Sequence, residues 1–195
     1  EISECLVGSE MCIRDRQTEN PYVNLYLVEG KNKVDHPFRY YVASRAKTME
    51  ALKIKTKKNT PDGVLMYSLY GEKRDKIVLV RQYRVSIDDY IYEFPAGLVE
   101  SGEEFHEAAV REMHEETGLT FHPLKVDPCY EKPFFTTIGM TDEACSAVYG
   151  WCEGEISRKY LEESEVIEVV LADREEAKRI LREENVAIML SLIHI

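Results

Sequence analysis

The chain is short of basic residues, of paired cysteines and of long apolar runs, and each shortage removes a class of function. Its 25 Lys and Arg face 36 Asp and Glu, leaving a net charge of −11 and a pI near 5.0. A general nucleic-acid binder, or a protein that adheres to anionic membranes, needs a basic face, so neither partner is expected. No apolar run approaches the ~20 residues that cross a bilayer. No charged-then-apolar leader is evident, and the expectation is a cytoplasmic protein. The five cysteines include no CxxC pair and no His spacing of the zinc type, which fits reduced thiols rather than a disulfide framework. Cys129, Cys145 and Cys152 are expected to serve packing. What remains, at 195 residues and 44% hydrophobic content, is one globular domain with an ample core and a small N-terminal extension.

The most informative stretch is GLVESGEEFHEAAVREMHEETGL at 97–119. Ser101 and Glu104 have the S-x-x-E form of a capping box, and Gly118 is the glycine expected just past a helix end. The spacing therefore predicts a helix over about 102–117. At roughly 100° per residue, Phe105, Ala109 and Met113 form one stripe with Ala108 at its flank. Glu104, Glu107, Arg111 and His114 lie opposite. Glu112 and Glu116 fall inside the apolar stripe and Glu115 on its border, so three carboxylates gather on the side turned toward the protein.

Like charges four residues apart repel, and an unpaired buried carboxylate would take up a proton rather than stay ionised. Something positive is expected among them. The wheel sends Arg111 away, so a divalent cation is the economical choice, and oxygen ligands without His or Cys suit Mg²⁺ or Mn²⁺ better than zinc. The alternative is a solvated, charge-rich helix whose acids pair with Lys or Arg elsewhere. The inward placement of Glu112 and Glu116 weighs against it.

These residues resemble the Nudix box. Gly97, five residues, Glu103, seven residues, then REMHEETGL at 111–119 match that pattern in every defined position, a far more specific signal than a lone glycine motif. The resemblance implies an α/β Nudix fold, an α/β/α sandwich with a mixed sheet and a small N-terminal β extension. It also implies a hydrolase of nucleoside diphosphates linked to another moiety. In the family Glu112 and Glu116, with Glu115 nearby, hold Mg²⁺, the Ala96 carbonyl often completes the site, and Arg111 orients one of the acids. Gly97, Glu103 and Gly118 are the structural positions of the box.

The flanking segments IVLVRQYR (77–84), YIYEFPAG (90–97) and GMTDE (139–143) look like the ADP-ribose pyrophosphatase branch. That likeness implies substrate contact by Arg84, a place in the binding cleft for Glu93, and a loop general base at Glu143. Glu115 is the rival base. The branch usually has Ser-Pro-Gly before the loop acid, whereas this chain has Thr137-Ile138-Gly139, and losing the proline loosens the loop. Members of the branch are typically homodimers that exchange N-terminal strands.

Elsewhere, 23–28, 38–43, 64–69, 77–83, 147–151 and 166–171 read as strands, with 64–69 and 77–83 forming a hairpin. Tyr90, Tyr92 and Phe94 alternate as on a strand, and core packing is favoured over base stacking for each. The lysine-rich segment 52–63 reads as a solvated loop. The segment 173–184 reads as a helix with Asp173 as N-cap and Ala177, Ile180 and Leu181 on one face.

The two ends look foreign. MCIRDR at 11–16 and LSLIHI at 190–195 can be encoded by DNA strings that are largely reverse complements, resembling a transposase mosaic end used in sequencing libraries. The expected division is therefore 1–16 and 190–195 as adapter-derived, 17–62 as a dimerising β extension, and 63–189 as the Nudix hydrolase domain. The expected reaction is Mg²⁺-dependent cleavage of ADP-ribose to AMP and ribose 5-phosphate. Two rivals stand beside it: another substrate (a nucleoside diphosphate sugar, a dinucleotide or a nucleoside triphosphate), and a non-catalytic ligand-sensing module.

Overall fold

The computed structural model describes residues 11–161 and 166–194, which divide into two compact units. One comprises residues up to 62 together with 134–144, the other 63–133 and the residues from 145 onward. In chain order the strands are β1 (Met11–Arg16), β2 (Asn24–Lys31), β3 (Pro37–Ser44), β4 (Gly63–Tyr70), β5 (Lys76–Arg84), β6 (Asp89–Glu93), β7 (Ala96–Leu98), β8 (Thr120–Pro123), β9 (Phe134–Phe135), β10 (Ala144–Glu153) and β11 (Ile167–Ala172). The helices are α1 (Lys53–Thr56), α2 (Phe105–Thr117), α3 (Pro128–Glu131) and α4 (Arg174–Glu183), and a 3₁₀ segment follows at Ile188–His194.

The first unit is built on an antiparallel sheet in the order β1-β2-β3. Along β2 burial alternates, with Asn24, Tyr26 and Val28 inward, the period of two that a half-covered strand requires. The Tyr26 hydroxyl donates to the Ala46 carbonyl at 2.6 Å, so the buried phenol keeps a partner. The lysine-rich segment expected to be loop throughout contains α1. Buried Leu52 precedes this single turn, and Lys57 ends it in the left-handed region at φ 55°. One helical turn is too short to leave a periodicity, which is why composition alone missed it.

In the second unit a mixed sheet runs β11-β5-β4-β10-β8, with β6 on β5 and β7 on β4. Strands β4 and β10 are parallel while β4 and β5 are antiparallel. Successive residues of a strand face opposite sides, and Val78 and Leu79 separate the two cores accordingly. Val78 joins Val64, Met66, Val148 and Cys152 beneath Ala108, Ala109 and Met113 of α2. Leu79 joins Tyr92, Phe94 and Ala172 beneath Ala177 and Ile180 of α4. A helix on each face of one mixed sheet is the α/β/α sandwich that the family resemblance implied.

Asp173 caps α4 as expected, accepting from the amides of Glu175 and Glu176. The 3₁₀ segment, which overlaps the stretch read as adapter-derived, places Leu190 fully buried in the α4-side core. The other stretch supplies β1 from Met11 onward, and its residues before that lie outside those described. Tyr92 and Phe94 are core residues, and Cys152 is buried. Cys129 is a correction: it is exposed in the first turn of α3, where its amide meets the Asp127 cap. Among the described residues no helix is long and apolar enough to cross a membrane.

Candidate active site

The acid-bearing helix starts later than its sequence suggested. Gly102 has φ +85°, a left-handed conformation that cannot belong to a helix, and it breaks the expected first turn. Residues 100–103 instead close a turn of their own. In it the Glu103 amide donates to the Glu100 carbonyl at 3.1 Å and the Glu100 amide to the Glu103 carboxylate at 2.9 Å. Glu104 becomes the N-cap, accepting from the His106 amide at 2.8 Å, in place of Ser101. From there FHEAAVREMHEET, in which Ala, Glu, Arg and Met are the good helix formers, runs to Gly118, left-handed at φ +76°.

Glu116 is only 5% exposed and the Glu112 side chain 16%, so both acids turn inward as the wheel indicated. Glu115 stands at the rim, 46% exposed. The Ala96 amide donates to the Glu116 carboxylate at 3.2 Å, so the bond the structure gives Ala96 at this site comes from its amide rather than its carbonyl. Gly97 explains the fit of Glu112. A Cβ at that position would lie 1.9 Å from the Glu112 carboxyl carbon and 2.2 Å from Oε2, distances no side chain permits. A side chain here would have to push the Glu112 carboxylate out of the place it occupies.

Arg111 is the principal correction. The wheel turned it outward, yet its guanidinium lies among the acids: Nε and Nη2 donate to Glu103 at 2.9 and 3.0 Å, Nη1 to Glu112 at 2.9 Å and to Glu115 at 3.0 Å, and Nη2 also to the Leu98 carbonyl at 3.0 Å. A wheel places Cα atoms, while a long side chain can curl back over its own helix. The fork of five N–H donors suits this cluster, which a lysine could not satisfy. Hydrogen bonding to Arg111 holds the Glu103 carboxyl well below the usual 4.5, at about 2, and the same bond pushes the Arg111 guanidinium up.

Arg111 brings one positive charge to the three carboxylates it bonds, Glu103, Glu112 and Glu115. Among the described residues no three Asp, Glu, His or Cys side chains form a ready metal cage. That is compatible with Mg²⁺, which binds through one or two carboxylates and fills its shell with water and substrate phosphates. Glu112 and Glu116, one turn apart and fixed by Gly97 and Ala96, are hard-oxygen donors of that kind.

The other predicted residues fall in two places. Arg84 Nε donates to Glu93 Oε1 at 2.6 Å, so the two residues assigned separately to substrate contact are paired with each other on β5 and β6. Glu143 lies in the first unit, where Oε1 accepts from Arg45 Nε at 2.7 Å and Oε2 from the Thr136 hydroxyl at 3.1 Å. Sequence reading gave no sign of Arg45 or Thr136, since Arg45 is 98 positions from its partner. The loop that lacks the proline is bonded at several points. The Ala43 amide donates to the Met140 carbonyl at 2.9 Å, the Tyr40 hydroxyl to the Gly139 carbonyl at 2.5 Å, and the Met140 and Thr141 amides to Thr137 at 2.9 and 3.0 Å.

A family model described as the NUDIX domain matches residues 59–192, more than half of the chain. An ADP-ribose pyrophosphatase of Bacillus subtilis (strain 168) is 34% identical over 115 residues, covering 57% of this chain and 58% of that protein. An ADP-ribose pyrophosphatase of Saccharomyces cerevisiae is 32% identical over 108 residues, 54% of this chain and 47% of that one. The chain thus spans about half the length of these curated relatives. The crystal structure of an ADP compounds hydrolase superposes with a TM-score of 0.66 over 91% of this chain and 85% of the other, at 17% identity. That similarity supports the fold.

Proposed function

The chain belongs to the Nudix domain family, and from that premise we propose that it hydrolyses the diphosphate of an ADP-linked compound, ADP-ribose first among them, with Mg²⁺ or in its place Mn²⁺. The observation that carries this reading is the seating of Glu112 in the space left by Gly97 while the Ala96 amide anchors Glu116. Two carboxylates are thereby held one turn apart, the hard-oxygen donors that a dication takes.

Glu112 and Glu116 would hold the dication, with Glu115 at the rim and the Ala96 carbonyl as a further oxygen. A bound Mg²⁺ supplies neutralisation of the phosphate oxygens and a lowered pKa for its water. Arg111 orients Glu112, and Arg84 and Glu93 contact the substrate. Water adds to one phosphorus, the bridging P–O bond breaks, and the leaving phosphate departs with its oxygen, giving AMP and ribose 5-phosphate from ADP-ribose. Glu143 accepts the proton of the attacking water. Glu115, at the rim and bonded to Arg111, is the second contender.

The names of the two pyrophosphatase relatives support the substrate class. The reading includes a homodimer formed through residues 17–62, supported by Tyr41, which β3 leaves exposed. It includes no nucleic-acid or membrane partner, in keeping with the acidic balance of the chain. Incubation of the purified protein with ADP-ribose and Mg²⁺ should yield AMP, faster than turnover of a nucleoside diphosphate sugar, a dinucleotide or a nucleoside triphosphate. Faster turnover of one of the others would move the substrate, and no turnover of any would favour a ligand sensor.

A further inference from the structure

Strand β3 does more than complete a sheet, because its end is fastened to the loop that carries Glu143. Residue by residue, the Tyr40 hydroxyl holds the Gly139 carbonyl, Ala43 bonds Met140 through its amide and Asp142 through its carbonyl (3.3 Å), and Arg45 reaches the Glu143 carboxylate. Ala43 and Thr141 form a parallel bridge. From the loop side, the Thr141 hydroxyl accepts from the Glu143 amide at 3.0 Å, and the Thr136 amide donates to the Glu143 carbonyl at 3.1 Å. The backbone around Glu143 is therefore set from both directions.

The carboxylate itself is held at both oxygens, by Arg45 on Oε1 and by Thr136 on Oε2. Each carboxylate oxygen has two acceptor positions, so one remains on each for a water. A tether of this kind fixes where the acid points without consuming its ability to take a proton. The Arg45–Glu143 bond is charge-assisted and 2.7 Å long, and both side chains are largely covered, at 31% and 25% exposure. That makes it a stronger restraint than a solvent-exposed ion pair.

We infer that Arg45 is a positioning residue for Glu143, and that the end of β3 substitutes for the proline this loop lacks. The inference rests on the reading of Glu143 as general base. Orientation of a catalytic group is a transition-state effect, so it is expected in kcat rather than KM.

The test is a double-mutant cycle with Arg45→Gln and Glu143→Gln, assayed by ADP-ribose turnover. Arg45→Gln alone should lower kcat about tenfold with KM within about twofold, and Arg45→Lys should recover part of the loss. In the Glu143→Gln background, Arg45→Gln should cost nothing more, because the residue acts through a group already removed. Equal losses in both backgrounds, or no loss in either, would overturn the proposal. If Glu143→Gln alone keeps full activity, the base assignment fails by itself. The clamp is then read by hydrogen exchange: faster exchange of the Asp142 and Glu143 amides in Arg45→Gln supports it, and unchanged exchange refutes it.

Discussion

The Glu112 carboxylate lies where the side chain of residue 97 would be, so that a methyl group on Gly97 would stand 1.9 Å from its carboxyl carbon. Gly97→Ala must displace Glu112 or the strand end. A displacement near 1 Å at a reacting centre costs about a hundredfold in rate, and that loss in kcat/KM is expected. Gly102→Ala is the control. Gly102 has φ +85°, and nothing lies within 4 Å of where its methyl group would stand, so this variant should lose only about 1–2 kcal/mol of stability from backbone strain and keep its turnover. Steady-state kinetics and thermal melts on the pair separate the two effects.

Arg111 binds three carboxylates and the Leu98 carbonyl. Arg111→Met should cost about 1–3 kcal/mol, since carboxylates left without their partner repel one another. Added Mg²⁺ should restore part of that stability, more in the variant than in the parent, because a dication can take over the neutralisation. Melting temperatures with and without Mg²⁺ measure it. Arg111→Lys should behave nearly as badly, lacking the fork.

Glu103 gives a dependence on acid. Its folded value, about 2, lies below the ordinary 4.5 because of Arg111, so its contribution is fully present above pH 4.5 and is lost as the pH falls toward 2. Stability measured by denaturant across that window should decline, and Glu103→Gln should flatten the decline while lowering stability at neutral pH.

His106 gives the opposite dependence. Burial opposes its charged form, but hydrogen bonds to Glu131 at 3.0 Å and to Glu104 at 3.1 Å outweigh that, and its value is raised above 6.5. A raised value means a contribution fully present below pH 6.5 and lost as the pH rises through the higher, folded value. His106→Asn should remove that alkaline fall in a melting-temperature profile. A profile unchanged by the substitution would show that the two carboxylates do not hold the imidazolium.

How much of this was legible depended on range. The α2 periodicity identified Met113, Ala108 and Ala109 as core and Glu112 and Glu116 as inward acids, because a helix converts local spacing into facing. The alternation of Tyr90, Tyr92 and Phe94 gave β6, and Gly118 gave the helix end. The helix start was misplaced because Gly102 is left-handed, which no spacing reveals. Arg111 was misdirected because its Cα position does not limit where a long side chain ends. The ties from β3 to the Glu143 loop join residues about a hundred positions apart, beyond any local pattern.

The central claim is that Glu112 and Glu116 together hold the dication on which diphosphate cleavage depends. Its most direct measurement is ADP-ribose hydrolysis by the parent and by Glu112→Gln/Glu116→Gln, each with Mg²⁺ and with excess EDTA, alongside calorimetric titration of Mn²⁺. The account predicts cleavage only by the parent with metal, and Mn²⁺ affinity weakened at least about tenfold in the variant. Undiminished cleavage by the double variant, or by the parent in EDTA, would contradict it.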